Sequence, residues 1–197
     1  MSGSAAIFDL DRTLLAGASG PVITEHLRSG GVLPGRSIPG EAAIYRIFDL
    51  LGENRPTMEL TRRAARAAAG WDQEAVRAAG EKAADILVDR VPAYARSELV
   101  RHRNEGRTLV LATTTPHDLI EPLAVRLGID AVVATRYRAV DGVYTGGIDG
   151  EFVWGRGKER AVLAWAARAT STSPRATPTR TASTTSRSCR RSDTPTW

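Results

Sequence analysis

The sequence has a single cysteine, Cys189, among its 197 residues. A lone cysteine excludes an intramolecular disulfide framework and a metal site built from cysteine thiolates. No run of about 18 or more apolar residues occurs, and such a run is what a transmembrane helix requires. The first four residues, Met1-Ser2-Gly3-Ser4, lack the basic and apolar segments of a secretory signal peptide. These absences predict a protein of the reducing cytoplasm with no membrane partner.

The positive charge of the chain is concentrated at its C-terminal end. The whole chain has 27 Lys+Arg and 22 Asp+Glu, a net charge of +5. Residues 169–197 contain five Arg and one Asp, so 22 basic and 21 acidic residues remain in residues 1–168. A nucleic-acid binder that uses the Arg-rich end is one hypothesis. Because no patch of interleaved basic and aromatic residues occurs in residues 1–168, we predict no nucleic-acid partner.

Short apolar runs alternate with helical patterns. Residues 5–10 are too few for a helix and predict a buried strand, and continuous apolar runs at 108–112 and 131–134 predict two more. The pair Asp141-Gly142 predicts a hairpin turn. A helix of about residues 159–168 follows. This alternation predicts an α/β fold with a parallel sheet.

The long stretch between the first two strands has mainly helical character. Apolar residues at helical spacing predict a helix over 41–51, and an Ala- and Arg-rich helix over 57–69 ends at Gly70. Asp72 is placed to cap a further helix that runs to about Pro92. We therefore predict a helical cap at residues 16–100, inserted into a core made of residues 1–15 and 101–168.

Two aspartates follow the first predicted strand with one residue between them. Such a pair places two carboxylates at a strand end, where one can attack phosphorus while the other transfers a proton. Carboxylate oxygens also suit a divalent cation. Asp9 and Asp11 are therefore candidate catalytic and metal-binding residues. The alternative is a solvated pair at a strand end without a catalytic role.

Hydroxyl and lysine side chains occur at the end of the second predicted strand and at the start of a later predicted helix. Thr113 and Thr114 follow the second predicted strand, where Thr115 is expected to cap a helix that starts at Pro116. A hydroxyl beside a helix N-terminus can bind a phosphate oxygen, although an ordinary cap is the simpler explanation. Lys158 lies in a Gly-rich stretch at a helix start. It can neutralise a transferred phosphoryl group, or it can be a surface lysine.

In order and local sequence these residues resemble the first three motifs of the haloacid dehalogenase superfamily. The segment 9–13 is similar to the D-x-D-x-T motif, and 111–116 is similar to the S-x-S-P form of the phosphoserine-phosphatase-like branch. The stretches 141–146 and 157–158 are similar to the approach to the catalytic lysine of that branch. The resemblance covers residues 5–168. It implies a three-layer, Rossmann-like parallel sheet with an inserted helical cap.

The resemblance also implies a role for each candidate residue. Asp9 would be the nucleophile that forms an aspartyl-phosphate, and Asp11 the general acid/base. The Asp9 carboxylate and the Asp11 backbone carbonyl would bind Mg²⁺. Thr113, Thr114 and Lys158 would bind the phosphate. The implied activity is Mg²⁺-dependent hydrolysis of a small phosphorylated substrate, and nothing in the sequence indicates an oligomeric state.

Two departures from the family pattern put this activity in doubt. Phosphoserine phosphatases have a substrate-reading glutamate shortly after the second aspartate, whereas residues 18–20 here are Ala-Ser-Gly, so phosphoserine is a poor candidate. The fourth motif, an acidic loop that completes the Mg²⁺ site, is not recognisable after Lys158, since the only acidic residue beyond Arg160 is Asp193. We therefore expect an impaired phosphatase. The alternative is an inactive, vestigial or phosphate-binding relative.

Residues 169–197 have the composition of a segment that cannot form a core. They contain nine Thr, six Ser, five Arg and three Pro, and no Leu, Ile, Val, Phe or Met. Such a segment is expected to be disordered, and it can be a genuine low-complexity tail. It can also be GC-rich coding sequence translated out of frame. A second frame can encode S-D-S-x-x-D-L-P over residues 180–187, similar to the missing fourth motif. We therefore predict that a frameshift has removed the C-terminal strands of the core.

Overall fold

The computed structural model of the chain describes residues 4–34, 59, 62–63 and 65–172. The elements whose bounds it defines are β1 (Ala5–Phe8), α1 (Gly20–Ser29), α2 (Gln73–Asp89), α3 (Ala93–Asn104), β2 (Thr108–Ala112), α4 (His117–Arg126), β3 (Ala131–Val133), β4 (Arg136–Val140), β5 (Val143–Asp149) and α5 (Arg156–Thr172). The helix predicted at 41–51 and residues 173–197 of the predicted tail lie outside the described residues.

The first three strands form one parallel sheet in the order β1-β2-β3. Phe8 of β1 lies beside Leu111 of β2, and Leu111 lies beside Val132 of β3. All three predicted strands are present, and their parallel arrangement confirms the predicted α/β class. β1 lies at the edge of the sheet that the described residues form, with Ile7 half exposed at 51%.

Helices cover both faces of this sheet. Leu109 and Leu111 point into the larger core, which they share with the buried faces of α1, α2 and α4. The intervening residues of β2 pack on the opposite face against α5, in a smaller cluster comprising Val110, Ala112, Ala131, Val133, Val153, Ala161, Val162 and Trp165. A continuous apolar run is what a strand buried on both faces requires. The predicted three-layer arrangement is therefore confirmed.

The helix boundaries agree with the prediction from the sequence for α2 and differ from it for α4 and α5. The Asp72 side chain caps α2 as predicted, because it accepts a hydrogen bond of 2.7 Å from the backbone N–H of Ala75. The prediction that Thr115 caps α4 is wrong: Pro116 is the N-cap residue and no side chain caps the helix. α5 begins at Arg156 and runs to Thr172, so it extends four residues past the predicted end at Arg168.

α2 lies within the range predicted for the helical cap, and it packs closely on α4. A Cβ atom at Gly80 would lie 2.9 Å from the carbonyl oxygen of Asp118, so only glycine fits there without a shift. Farther along the seam, an Arg126 Nη2 atom lies 2.8 Å from both Glu81 Oε2 and Asp85 Oδ1. This part of residues 16–100 is thus attached directly to the core helix.

The predicted hairpin is present and is bound to the segment before α2. Asp141 (φ 50°) and Gly142 (φ 77°) form its turn, a conformation that favours Asp-Gly. The backbone N–H of Tyr144 donates to the Trp71 carbonyl at 2.9 Å, and that of Gln73 donates to the Gly142 carbonyl at 2.8 Å. None of the helices in the described residues has the length and apolar content that a membrane crossing requires.

Candidate active site

A tight turn after β1 presents the two aspartates. Leu10, Leu14 and Leu15 are almost fully buried, and the Leu15 N–H donates to the Leu10 carbonyl at 2.9 Å. Burial of these leucines leaves Asp9 exposed and Asp11 partly exposed at the end of the strand. The apolar residues of the motif therefore set the direction of its carboxylates.

The Asp11 carboxylate lies at the N-terminus of α1. The backbone N–H of Ser19, the N-cap residue of this helix, donates to Asp11 Oδ1 at 2.6 Å. The free N–H groups and the macrodipole of a helix N-terminus stabilise a negative charge. Ser19 is 1% exposed, so this hydrogen bond is shielded from water on the serine side. Ser19 thus holds one oxygen of Asp11 in place through its backbone.

Lys158 reaches the first aspartate from the other end of the described chain. Its Nζ atom lies 2.6 Å from Asp9 Oδ1, across 149 residues of sequence. The lysine is in the first turn of α5, and its backbone N–H donates to the carbonyls of Trp154 and Gly155. The Lys158 side chain is 20% exposed and that of Asp9 is 46% exposed, so solvent reaches the ion pair mainly on the aspartate side.

The threonine loop lies at the same edge of the sheet. β1 and β2 are parallel neighbours, so the residues after Phe8 and after Ala112 leave the sheet side by side. The hydroxyl of Thr113 accepts from the Thr115 N–H at 3.2 Å, and the Thr115 hydroxyl lies 3.5 Å from that of Ser19. This chain of contacts links the loop to Asp11.

The structure therefore brings the predicted residues to one edge of the sheet. Asp9 and Asp11 come from the end of β1, Thr113 from the end of β2, and Lys158 from the start of α5. Thr113 is 1% exposed and its hydroxyl is engaged within the loop, while its neighbour Thr114 is partly exposed. The roles of these residues stay predictions.

A polar cluster at the start of α4 was not predicted from the sequence. The possible ligand atoms of His117, Asp118 and Glu121 lie within 4.8 Å of one another. An Arg136 Nη2 atom lies 2.7 Å from His117 Nε2, which is therefore the hydrogen-bond acceptor. The other ring nitrogen, Nδ1, then carries the proton and faces the carboxylates at 3.5 and 3.7 Å. The contacts of these groups with one another and with Arg136 join them in a hydrogen-bond network. The spacing of His117 and Glu121 by one helical turn was its only sequence signal.

Asp118 is the most heavily hydrogen-bonded carboxylate of this network. Burial alone would raise its pKa, but the hydrogen bonds from His117, Gln73 and Tyr144, with the nearby Arg77 guanidinium, hold the pKa of Asp118 well below its usual range. Burial, followed by the hydrogen bond to Asp118, raises the pKa of Tyr144. Asp118 is thus an ionised, buried anion.

The chain is similar in sequence to bacterial proteins. The chain is 33% identical over 168 residues to a phosphoserine phosphatase of Mycobacterium tuberculosis, an alignment that covers 84% of this chain and 54% of that protein. It is 30% identical over 167 residues to an inhibition of morphological differentiation protein of Streptomyces azureus, covering 83% of this chain and 60% of that protein. The chain thus spans little more than half the length of the curated relatives it matches.

Solved structures share the fold. A Bordetella pertussis protein of unknown function superposes with a TM-score of 0.69 at 24% identity, covering 86% of this chain and 76% of that one. A substrate-bound phosphoserine phosphatase superposes with a TM-score of 0.57 at 20% identity, covering 86% of this chain and 73% of that one. At these identities the likeness concerns the fold.

The family model for haloacid dehalogenase-like hydrolases matches residues 6–174, which includes both aspartates, the threonine loop and the lysine. This chain therefore belongs to the haloacid dehalogenase-like hydrolases.

Proposed function

We propose that the chain is a phosphatase of small phosphomonoesters that acts through an aspartyl-phosphate on Asp9, and that its activity is impaired by the loss of the fourth motif. The observation that carries this proposal is the 2.6 Å contact between Lys158 Nζ and Asp9 Oδ1. A cation beside the nucleophile can stabilise both its negative charge and the charge of a transferred phosphoryl group. The phosphatase name of a relative supports the same reaction class.

The proposed reaction has two displacement steps. An Asp9 oxygen attacks phosphorus in line, the ester P–O bond breaks, and its electron pair leaves on the alcohol oxygen, which takes a proton from Asp11. Asp11 then removes a proton from water, and the resulting hydroxide displaces Asp9 from phosphorus. The products are the alcohol and inorganic phosphate. Thr113, Thr114 and Lys158 would hold the phosphoryl oxygens during both steps.

The donor set at the end of β1 fits Mg²⁺. Two carboxylate-bearing residues follow the strand with one residue between them, and Mg²⁺ prefers such oxygen ligands. Lys158 engages one oxygen of Asp9, so the proposed ligands are the remaining Asp9 oxygen and the Asp11 backbone carbonyl. When bound, the ion supplies positive charge that stabilises the transition state.

One observation favours the alternative, an inactive or phosphate-binding protein. Within the described residues, the only cluster of three or more His, Cys, Asp and Glu ligand atoms is the one on α4. No third such ligand therefore joins Asp9 and Asp11 in that part of the chain. A site with only two acidic residues would bind Mg²⁺ weakly, and the rate of hydrolysis would be much lower.

Release of inorganic phosphate from a panel of small phosphomonoesters tests the proposal. We expect slow hydrolysis that requires Mg²⁺, stops on addition of EDTA and is absent from Asp9→Asn. Hydrolysis that persists in this variant would contradict the assigned nucleophile. Phosphate binding without any hydrolysis would favour the alternative.

A further inference from the structure

Asp118 lies in the first turn of α4, directly after the threonine loop, and is only 9% exposed. Its Oδ2 atom accepts hydrogen bonds from the Tyr144 hydroxyl and from Gln73 Nε2, the latter at 2.8 Å. Its Oδ1 atom accepts from an Arg77 Nη2 atom at 3.3 Å and faces His117 Nδ1 at 3.5 Å. Both oxygens are therefore engaged by donors.

These donors come from separate elements of the fold. Gln73 and Arg77 are in the first turns of α2, and Tyr144 is in β5. The hairpin and the segment before α2 are already joined by backbone hydrogen bonds, so they form one unit. Asp118 is the point at which this unit is held to the start of α4.

The start of α4 in turn sets the position of the threonine loop. At one end of the loop, the Thr113 N–H donates to the Val133 carbonyl at 3.0 Å. At the other end, the His117 N–H donates to the Thr135 carbonyl at 3.0 Å, and its ring accepts from Arg136. A shift of the first turn of α4 would therefore move the loop that carries Thr113 and Thr114.

We propose that Asp118 is a positioning residue, which keeps the threonine loop in its phosphate-binding geometry by joining α4 to α2 and to the β4–β5 hairpin. This rests on the proposed role of the loop in phosphate binding. Asp118 acts through the loop and makes no contact with substrate.

The substitution Asp118→Asn distinguishes a positioning role from a simple effect of the Asp118 charge on anion binding. The variant removes a negative charge, and on electrostatic grounds alone this would strengthen the binding of an anion. The carboxamide, however, carries N–H donors on one side, and these would face either Gln73 and Tyr144 or Arg77 and His117. Two opposed donors in a buried site cost free energy and displace the turn. A positioning role therefore predicts weaker phosphate binding in Asp118→Asn, whereas the loss of negative charge alone predicts stronger binding.

Asp85→Asn is a matched control. It also replaces an aspartate by asparagine at the seam between α2 and α4, but it affects the ion pair with Arg126, away from the loop. The measurement is the dissociation constant of inorganic phosphate, by calorimetry with Mg²⁺ present, at a temperature where circular dichroism shows each variant to be folded. A purely structural role would lower the melting temperature and leave this constant unchanged.

We expect Asp118→Asn to raise the dissociation constant about fivefold or more, which corresponds to the loss of one hydrogen bond, and Asp85→Asn to leave it unchanged. An unchanged or lower constant in Asp118→Asn would overturn the proposal. If Asp118→Asn does not fold, Tyr144→Phe and Gln73→Leu each remove one donor, and the same criterion applies to them. A wild-type chain that binds phosphate and hydrolyses no ester would refute the proposed function alone. A wild-type chain that binds no phosphate would overturn both.

Discussion

The backbone N–H of Ser19 donates a 2.6 Å hydrogen bond to Oδ1 of Asp11, so this carboxylate caps the N-terminus of α1. This hydrogen bond fixes the position of the Asp11 side chain at the start of the helix. An asparagine at position 11 can keep it, because an amide oxygen also accepts. The proposed catalytic role of Asp11 can therefore be tested by substitution without releasing the helix from the turn.

Asp9→Asn should abolish turnover and formation of the alkali-labile phosphoenzyme, because an amide cannot form an acyl-phosphate. The experiment requires a chain with measurable activity, such as one with the second reading frame restored. The asparagine oxygen can still accept from Lys158, so the fold should be retained. Labelled phosphate trapped on the protein by acid quench is the measurement. Trapped label in the variant would show that another residue is the nucleophile.

In the same restored chain, Asp11→Asn should slow hydrolysis of alkyl phosphates by about 10²–10⁴-fold, the usual contribution of a general acid. Aryl phosphates should lose less in the phosphoenzyme-forming step, since their leaving groups need little protonation. Rapid-quench measurement of phosphoenzyme formation with both substrate classes tests this. An equal loss for both classes would rule out Asp11 as the acid.

Lys158→Met should raise the dissociation constant of inorganic phosphate by roughly 10- to 100-fold, the value of a charged hydrogen bond. Methionine keeps an unbranched side chain that is one atom shorter and lacks the positive charge and the N–H donors. Lys82, the only other lysine of the chain, is exposed on α2, and Lys82→Met is the control of equal charge change. Equal effects of the two substitutions would mean that net charge, rather than the contact with Asp9, controls binding.

The free energy of unfolding should fall as the pH is lowered below about 4. The folded pKa of Asp118 is below the usual 3.8, so the unfolded chain binds the proton more strongly and acid favours unfolding. The stabilisation is fully present above pH 4 and is lost as the pH falls toward the folded pKa. Chemical denaturation between pH 3 and pH 6 measures this. Asp118→Asn should show a smaller slope than Asp85→Asn over the same range.

Restoring the second reading frame by a one-base insertion near codons 168–170 should improve solubility and Mg²⁺-dependent activity together. The restored segment is expected to supply the missing acidic loop and a strand beside β1. The half-exposed Ile7 marks that edge of the described sheet, and unpaired edges promote aggregation. Solubility and phosphate release of the two chains are compared directly. A fully active, well-folded original chain would refute the frameshift.

Much of the fold could be predicted from the sequence because strand burial and turn chemistry are local properties. The run from Leu109 to Ala112 is apolar throughout, as a strand buried on both faces must be. The Asp141-Gly142 pair adopts positive φ angles that few other residues accept, and Asp72 reaches the next turn of its own helix. Each signal lies within a few residues of its effect.

The boundaries of α4 and α5 were harder to predict from the sequence. Pro116 is compatible with both the N-cap and the first helical position, so the sequence could not distinguish Thr115 from Pro116 as the cap. α5 continues past Arg168 because alanine and short polar residues tolerate a helix when nothing stops it.

By itself the sequence determined the order of the candidate site motifs, since Asp9, Asp11, Thr113 and Lys158 follow the family pattern along the chain. Only the tertiary structure decided which groups meet. The Lys158–Asp9 pair spans 149 residues, and Asp118 is bound by side chains from 41 and 45 residues before it and 26 after it. Contacts at such separations depend on how sheet and helices pack. No local pattern of residues encodes these contacts, because they depend on the packing free energy of the core, to which residues from all parts of the chain contribute.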